Sequence, residues 1–152
     1  MFTDRDHHWM RYAIQLAEKA AAEQEVPVGA VLVLDDQIIG EGYNRPISHH
    51  DPSAHAEMIA LREGAKRIGN YRLLNTTLYV TLEPCIMCAG AMVHARVKHL
   101  VFGAHDLKAG AIVTKTEALN LPFLNHSVAY TGGLLAEQCG GVLSNFFRER
   151  RG

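Results

Sequence analysis

A Cys-x-x-Cys pair behind a proline, Cys85 and Cys88 after Pro84, together with a histidine thirty residues upstream, His55, constrains this 152-residue chain more than any other feature. Two thiolates at that spacing can share one metal ion, and the histidine adds a nitrogen of borderline softness. The fold must therefore bring two distant segments to one point. Three N/S ligands suit a tetrahedral zinc, with the fourth position left for water. Glu57 lies two residues beyond His55, and residues two apart do not face one another on a helix. It reads as an independent acid/base and not as a second ligand. Pro84 suits a first helical turn, where the amide hydrogen it lacks would be unpaired anyway. The positive end of that helix would lower the pKa of both cysteines.

Two other arrangements use the same residues. A closed knot of His55, Cys85, Cys88 and a fourth ligand such as Cys139 or His94 would hold the fold and do no chemistry. Glu57 beside His55 weighs against it, as does the lack of a second Cys-x-x-Cys or a His-x₃₋₅-His. A metal-free pair of buried thiols is the other. Cys139 sits in an apolar helical stretch and reads as a packed thiol. His94 and His99 read as core or interface residues, and His7, His8, His49 and His50 as solvated ones.

Length argues for one domain, residues 1–152, large enough to bury roughly 70% of the surface of its unfolded chain. Hydrophobic residues at 48% and charged residues at 20% are ordinary for a globular protein. No apolar run approaches the ~20 residues that span a bilayer. The N-terminus has no secretory apolar segment, so a cytoplasmic protein without a membrane partner is expected. Three cysteines cannot all pair, which excludes a disulfide scaffold. A formal net charge of −1 excludes a global basic field. Any nucleic-acid contact must come from a local patch.

Asp4 to Glu23 has the periodicity of an amphipathic helix, with Thr3 and Asp6 in a capping arrangement. Val28–Leu34 and Gln37–Tyr43 read as strands joined by a turn at Asp35-Asp36. A polar, proline-marked loop, Asn44 to Ser53, leads to a helix from Ala54 to Arg67 capped by Asp51 or Ser53, with His55 and Glu57 in its first turn. Thr77–Thr81 is a third strand, and Pro84 opens the helix that carries both cysteines. Lys98–Gly103 is a fourth strand. Ala104 to Asn125 reads mostly as loop, with a helical turn near Thr116–Asn120. Ser127–Thr131 is a short fifth strand, and Leu134–Arg148 a last helix. Its Gly140-Gly141 pair suggests close packing. Alternating strands and helices predict a three-layer α/β/α fold around a five-stranded mixed sheet.

The His-x-Glu and Pro-Cys-x-x-Cys pattern resembles the signature of zinc-dependent nucleobase deaminases of the cytidine/deoxycytidylate deaminase superfamily. The resemblance narrows at Val26-Pro27-Val28-Gly29-Ala30-Val31, Gly42-Tyr43-Asn44-Arg45-Pro46, Asp51-Pro52-Ser53-Ala54-His55-Ala56-Glu57 and Thr81 to Met92. It extends through Val101 to Asp106 and on to Phe146-Phe147-Arg148. These segments are similar to the bacterial tRNA-specific adenosine deaminases over nearly the whole chain. The resemblance implies a cytidine-deaminase-like fold, one Zn²⁺ per subunit, a homodimer and a tRNA anticodon stem-loop as partner. The implied reaction is hydrolysis of wobble adenosine to inosine, with Glu57 as proton shuttle and ammonia released. By the same resemblance Asn44 would bind the base or ribose, and Asp106 the nucleotide backbone or 2′-hydroxyl. Phe146, Phe147 and Arg148 would meet the RNA, in a terminal run that also holds Arg150 and Arg151. Read without the family, Asn44 is a turn residue, Asp106 a loop carboxylate, and the tail an ordinary helix end with buried phenylalanines. Lys66, Arg67 and Arg72 form a second basic cluster.

Two departures stand out. Gly110-Ala111-Ile112-Val113-Thr114 is more apolar than expected in that family, and the end of the first helix, Ala20-Ala21-Ala22-Glu23-Gln24-Glu25, lacks basic residues. The rival readings are a free-base or nucleotide deaminase acting on guanine, cytosine or cytidylate, and a zinc-stabilised RNA-binding module without catalysis.

Overall fold

In a computed structural model describing residues 1–151, with side chains to Arg150, the chain forms a five-stranded sheet between two pairs of helices. The strands are β1 (Gly29–Leu34), β2 (Gln37–Tyr43), β3 (Thr77–Leu82), β4 (His99–Ala104) and β5 (Ala129–Gly132). Their order is β2-β1-β3-β4-β5. β1 runs antiparallel to both β2 and β3, while β3, β4 and β5 are parallel. The mixed sheet of the sequence reading is what forms.

Side-chain alternation explains the three layers. Leu32, Leu78, Val80, Leu100 and Phe102 point to one face, against α2 (Ala56–Ile68) and α3 (Ile86–Ala95). Val31, Val33, Tyr79 and Val101 point to the other. There they meet Trp9, Met10, Ala13 and Leu16 of α1 (Asp4–Ala22) and Cys139 of α4 (Ala136–Arg151). Both faces of the central strands are covered, so these strands read as nearly continuous apolar runs.

The expected cap of α1 is present. Asp6 N–H donates to Thr3 Oγ1 at 3.1 Å, and Thr3 N–H donates back to Asp6 Oδ2 at 2.9 Å. Asp6 Oδ1 also accepts the Tyr79 hydroxyl at 2.7 Å, tying helix to sheet.

Several boundaries differ from expectation. α2 starts at Ala56, with His55 as its N-cap, and α3 starts at Ile86, with Cys85 as its N-cap. Pro84 therefore precedes the cap and does not occupy the first turn. Asp51 caps a local turn instead of α2: Ser53 N–H and Ser53 Oγ–H both donate to its Oδ1 at 2.8 Å. The last helix begins after Leu135, whose φ of 53° breaks the helical run. Close packing does not explain Gly140-Gly141, since a Cβ at Gly141 would meet nothing within 4 Å and one at Gly140 only Ala104 Cβ at 4.0 Å. No helix among the described residues is long and apolar enough to cross a membrane.

Candidate active site

β2, β3 and β4 all end at the same edge of the sheet, because β2 and β3 both run opposite to β1. The antiparallel half of the sheet meets the parallel half at β3, whose C-terminal end lies at the middle of that edge. The N-termini of α2 and α3 point toward it, and a crevice at such a switch point is a usual ligand site. β2 packs tightly on α2: a Cβ at Gly42 would lie 2.6 Å from the Ala56 carbonyl oxygen, so only glycine lets the strand bring α2 this close.

The edge holds His55, Cys85 and Cys88, whose ligand atoms lie within 4.8 Å of one another. His55 Nδ1 is 3.5 Å from Cys85 Sγ and 3.6 Å from Cys88 Sγ. Zinc bonds of about 2.3 Å to sulfur and 2.0–2.1 Å to nitrogen, meeting at the tetrahedral angle, separate the two donors by about 3.6 Å. The donor set fits zinc in both chemistry and spacing. Neither Cys139 nor His94 belongs to the cluster. Cys139 is buried against Leu134, and burial pushes its thiol up to about 12. His94 is exposed beside the cleft between α2 and α3. The closed knot has no fourth ligand from either residue.

The titratable groups of the site act strongly on one another. A hydrogen bond from Cys88, with His55 beside it, holds the Cys85 thiol down at about 3 although burial opposes this. That same bond, with burial, drives Cys88 the other way. His55 is raised, chiefly through its hydrogen bond to Cys85. Glu57 is 4% exposed, and burial raises its carboxyl to about 7.

Against His55 and Cys85 lies a cavity of about 300 Å³ lined also by Val26, Val28, Asn44, Pro46, Glu57, Leu82, Glu83, Asp106 and Ala109, with Cys88 buried behind it. Asn44 and Asp106 are both part of this lining. Asn44 Oδ1 accepts the Ala56 N–H at 2.8 Å, so part of this side chain is a helix cap. Asp106 Oδ1 accepts the N–H groups of Lys108 and Ala109 at 3.0 and 3.1 Å. Phe146, Phe147 and Arg148 lie outside this lining. Phe146 is 6% exposed and lines a separate groove with Glu18 and Ala21 of α1, whereas Phe147 and Arg148 are exposed. Arg150 stacks over Phe146 at 5.2 Å, while the Arg151 side chain and Gly152 lie outside the described residues.

Sequence reasoning passed over two buried carboxylates. Glu25 accepts the N–H groups of Ile47 and Ser48 at 3.2 and 2.7 Å, fixing the loop behind Asn44 and Pro46. Glu83 accepts those of Asp106, Ile112, Val113 and Thr114. The one available signal was an acidic residue directly before Pro84-Cys85, at the end of an apolar strand.

The model of the cytidine and deoxycytidylate deaminase zinc-binding region matches residues 3–104. The chain belongs to this family. Among its relatives, the tRNA-specific adenosine deaminase of Haemophilus influenzae is 59% identical over 147 residues, covering 96% of this chain and 85% of the relative. The tRNA-specific adenosine deaminase of Bacillus subtilis is 47% identical over 147 residues, covering 97% and 91%. A solved structure from studies of A-to-I editing by tRNA:A34 deaminases at the wobble position superposes with a TM-score of 0.87 at 39% identity, covering 90% of this chain and 99% of that one. A guanine deaminase from Nitrosomonas europaea shares the fold, with a TM-score of 0.77 at 22% identity over 92% of this chain and 83% of that one. This deaminase thus has the fold that its sequence pattern indicates, and a His55, Cys85 and Cys88 group that fits one zinc ion.

Proposed function

We propose that this deaminase hydrolyses adenosine to inosine at the wobble position of a tRNA anticodon, with the base flipped out of its stack into the cavity beside His55, Cys85 and Cys88. The observation that carries the reading is that cavity: about 300 Å³, lined by ligands, a buried acid and polar residues in a chain 59% identical to a tRNA-specific adenosine deaminase. The volume accommodates one extruded base.

His55 Nδ1, Cys85 Sγ and Cys88 Sγ would hold the zinc, which supplies a Lewis acid that makes water nucleophilic near neutral pH. Glu57 takes the proton of the attacking water and delivers protons to a ring nitrogen and then to the departing amine. C6 exchanges its C–N bond for a C–O bond, and ammonia leaves. Glu57 is shielded from bulk water, which keeps its proton within the site. Asn44 keeps its amide Nδ2 for the base or ribose, because Oδ1 caps α2. Asp106 keeps Oδ2 for a 2′-hydroxyl, the group that distinguishes RNA from DNA.

Exposed Phe147 and Arg148 supply stacking and phosphate contacts outside the cavity. Phe146 anchors that end of α4 on α1. The reading includes a homodimer, for which the apolar cleft lined by Met58, Leu61, Tyr71, Leu73 and Ala91 offers an unpartnered surface; light scattering in solution reads the mass. It also includes a cytoplasmic location and a single domain.

The test compares kcat/KM for an anticodon stem-loop carrying wobble adenosine with those for free adenosine, cytidine and guanine. Turnover of the stem-loop alone supports the reading. Turnover of only a free base or nucleoside keeps the site and overturns the substrate.

A further inference from the structure

We propose that Glu83 is a positioning residue for substrate recognition: its carboxylate holds the 106–114 segment as one wall of the cavity and so sets where Asp106 and Ala109 stand. The inference rests on the substrate reading above. Glu83 is 2% exposed and directly precedes Pro84 and Cys85, so it is fixed to the metal site through the chain. Its Oε1 accepts the Asp106 N–H at 3.1 Å and the Thr114 hydroxyl. Its Oε2 accepts the N–H groups of Ile112, Val113 and Thr114 at 3.1, 2.9 and 3.0 Å. Five donors from a segment over twenty residues away converge on one carboxylate, and every one is a donor. Only a full carboxylate satisfies that set, because a glutamine turns two N–H groups of its own toward them.

The segment is shaped around this group. A Cβ at Gly110 would lie 2.5 Å from Glu83 Oε1 and 2.6 Å from the Asp106 carbonyl oxygen. Ala111 and Ile112 are 2% and 0% exposed in the core under α3. The apolar character of this run therefore anchors the wall. Ala111 N–H also donates to the Pro84 carbonyl at 2.9 Å, and Glu83 N–H to that of Ala104 at 2.8 Å. At the outer end of the segment Asp106 and Ala109 line the cavity. Glu83 also lines it, yet both its oxygens are engaged by the segment, so it acts through the wall and not on the reacting atoms.

The test measures kcat per bound zinc, KM, and stem-loop binding by fluorescence anisotropy in wild type, Glu83→Gln, Asp106→Ala and the double variant. Glu83→Gln is expected to raise KM about tenfold or more with kcat per zinc within about threefold, and to weaken binding in step. In the Asp106→Ala background the same change should add less than about twofold, because both act through one contact. A structural role alone would lower the folded fraction and leave KM per active site unmoved. An unchanged KM, a loss in kcat alone, or a full tenfold further loss in the Asp106→Ala background overturns the proposal. If Glu83→Gln does not fold, Thr114→Val decides: a rise of about two- to fivefold in KM is expected, and no rise overturns it. Wild-type protein inert toward the stem-loop would overturn the substrate reading itself, a different failure from an active wild type with an unaffected Glu83→Gln variant.

Discussion

Asn44 Oδ1 accepts the backbone N–H of Ala56 at 2.8 Å, so α2 is capped by a side chain from the end of β2, twelve residues upstream. A helix normally takes its cap from the residue just before it. Here that residue is His55, whose side chain makes no capping hydrogen bond and turns its ring nitrogen toward the two cysteines instead. Handing the cap to Asn44 leaves His55 free as a ligand and locks Asn44 to the cavity wall.

This double role can be separated. Asn44→Asp keeps an acceptor for Ala56 and places a negative charge at a helix N-terminus, so stability to urea should hold. Its loss of the amide donor should lower kcat/KM on the stem-loop. Asn44→Ala removes both and should cost about 1 kcal/mol of stability as well. Equal stability of Asn44→Ala and wild type would contradict the capping role.

The metal assignment gives a direct prediction. His55→Ala and Cys85→Ala should each be zinc-depleted by elemental analysis, while Cys139→Ala should retain about one zinc per chain. Retention of one zinc in both ligand variants would remove the assignment.

Glu57→Gln should keep zinc and stem-loop binding while turnover falls by about 10²–10⁴. Undiminished turnover would exclude Glu57 as the proton shuttle.

The helices and strands along the chain, and their three layers, were legible in the sequence because the periodicities are strong; the order of the strands within the sheet was not. Leu32 and Val31 alternate across a sheet covered on both sides, and Trp9, Ala13 and Ala17 repeat along α1. The ligand trio was legible because residue type and spacing suffice for metal chemistry. The start of α2 was not, since Ser53 and Asp51 are better local caps than histidine and the true cap comes from Asn44, just beyond the end of β2. The Glu83 cradle was hidden for a similar reason: its five donors are mostly backbone groups, which carry no sequence signature. Phe146 and Phe147 are adjacent and alike in sequence, but only folding shows that one is 6% and the other 44% exposed.

That difference shapes the RNA prediction. Removing the tail after Ser144 would also remove buried Phe146 and disturb the seating of α4 on α1. Phe147→Ala and Arg148→Ala should leave the unfolding transition in place and weaken stem-loop binding. Arg148→Ala should also reduce the slope of log K against log salt by about one. An unchanged slope would remove Arg148 from the phosphate contacts.

Glu25 supplies the pH prediction. Burial opposes its ionisation, but the Ser48 and Ile47 amides and Arg45 outweigh this and hold its carboxyl below the usual value of 4.5. A carboxyl depressed in the folded state stabilises the protein above its unfolded pKa, and that contribution is lost as pH falls through the folded value. Wild type should therefore lose urea stability below about pH 4.5, and Glu25→Gln should lose less over the same range while being less stable at pH 7. Parallel curves for the two proteins would contradict this account of the Asn44–Pro46 loop.

The most direct measurement incubates zinc-loaded protein with the wobble-adenosine stem-loop in oxygen-18 water, followed by nuclease digestion and mass spectrometry of the nucleosides. The account predicts inosine from the wobble position carrying one solvent oxygen, with none formed after zinc removal and none by Glu57→Ala. Adenosine recovered intact, or product formed equally by the Glu57→Ala protein, would contradict it.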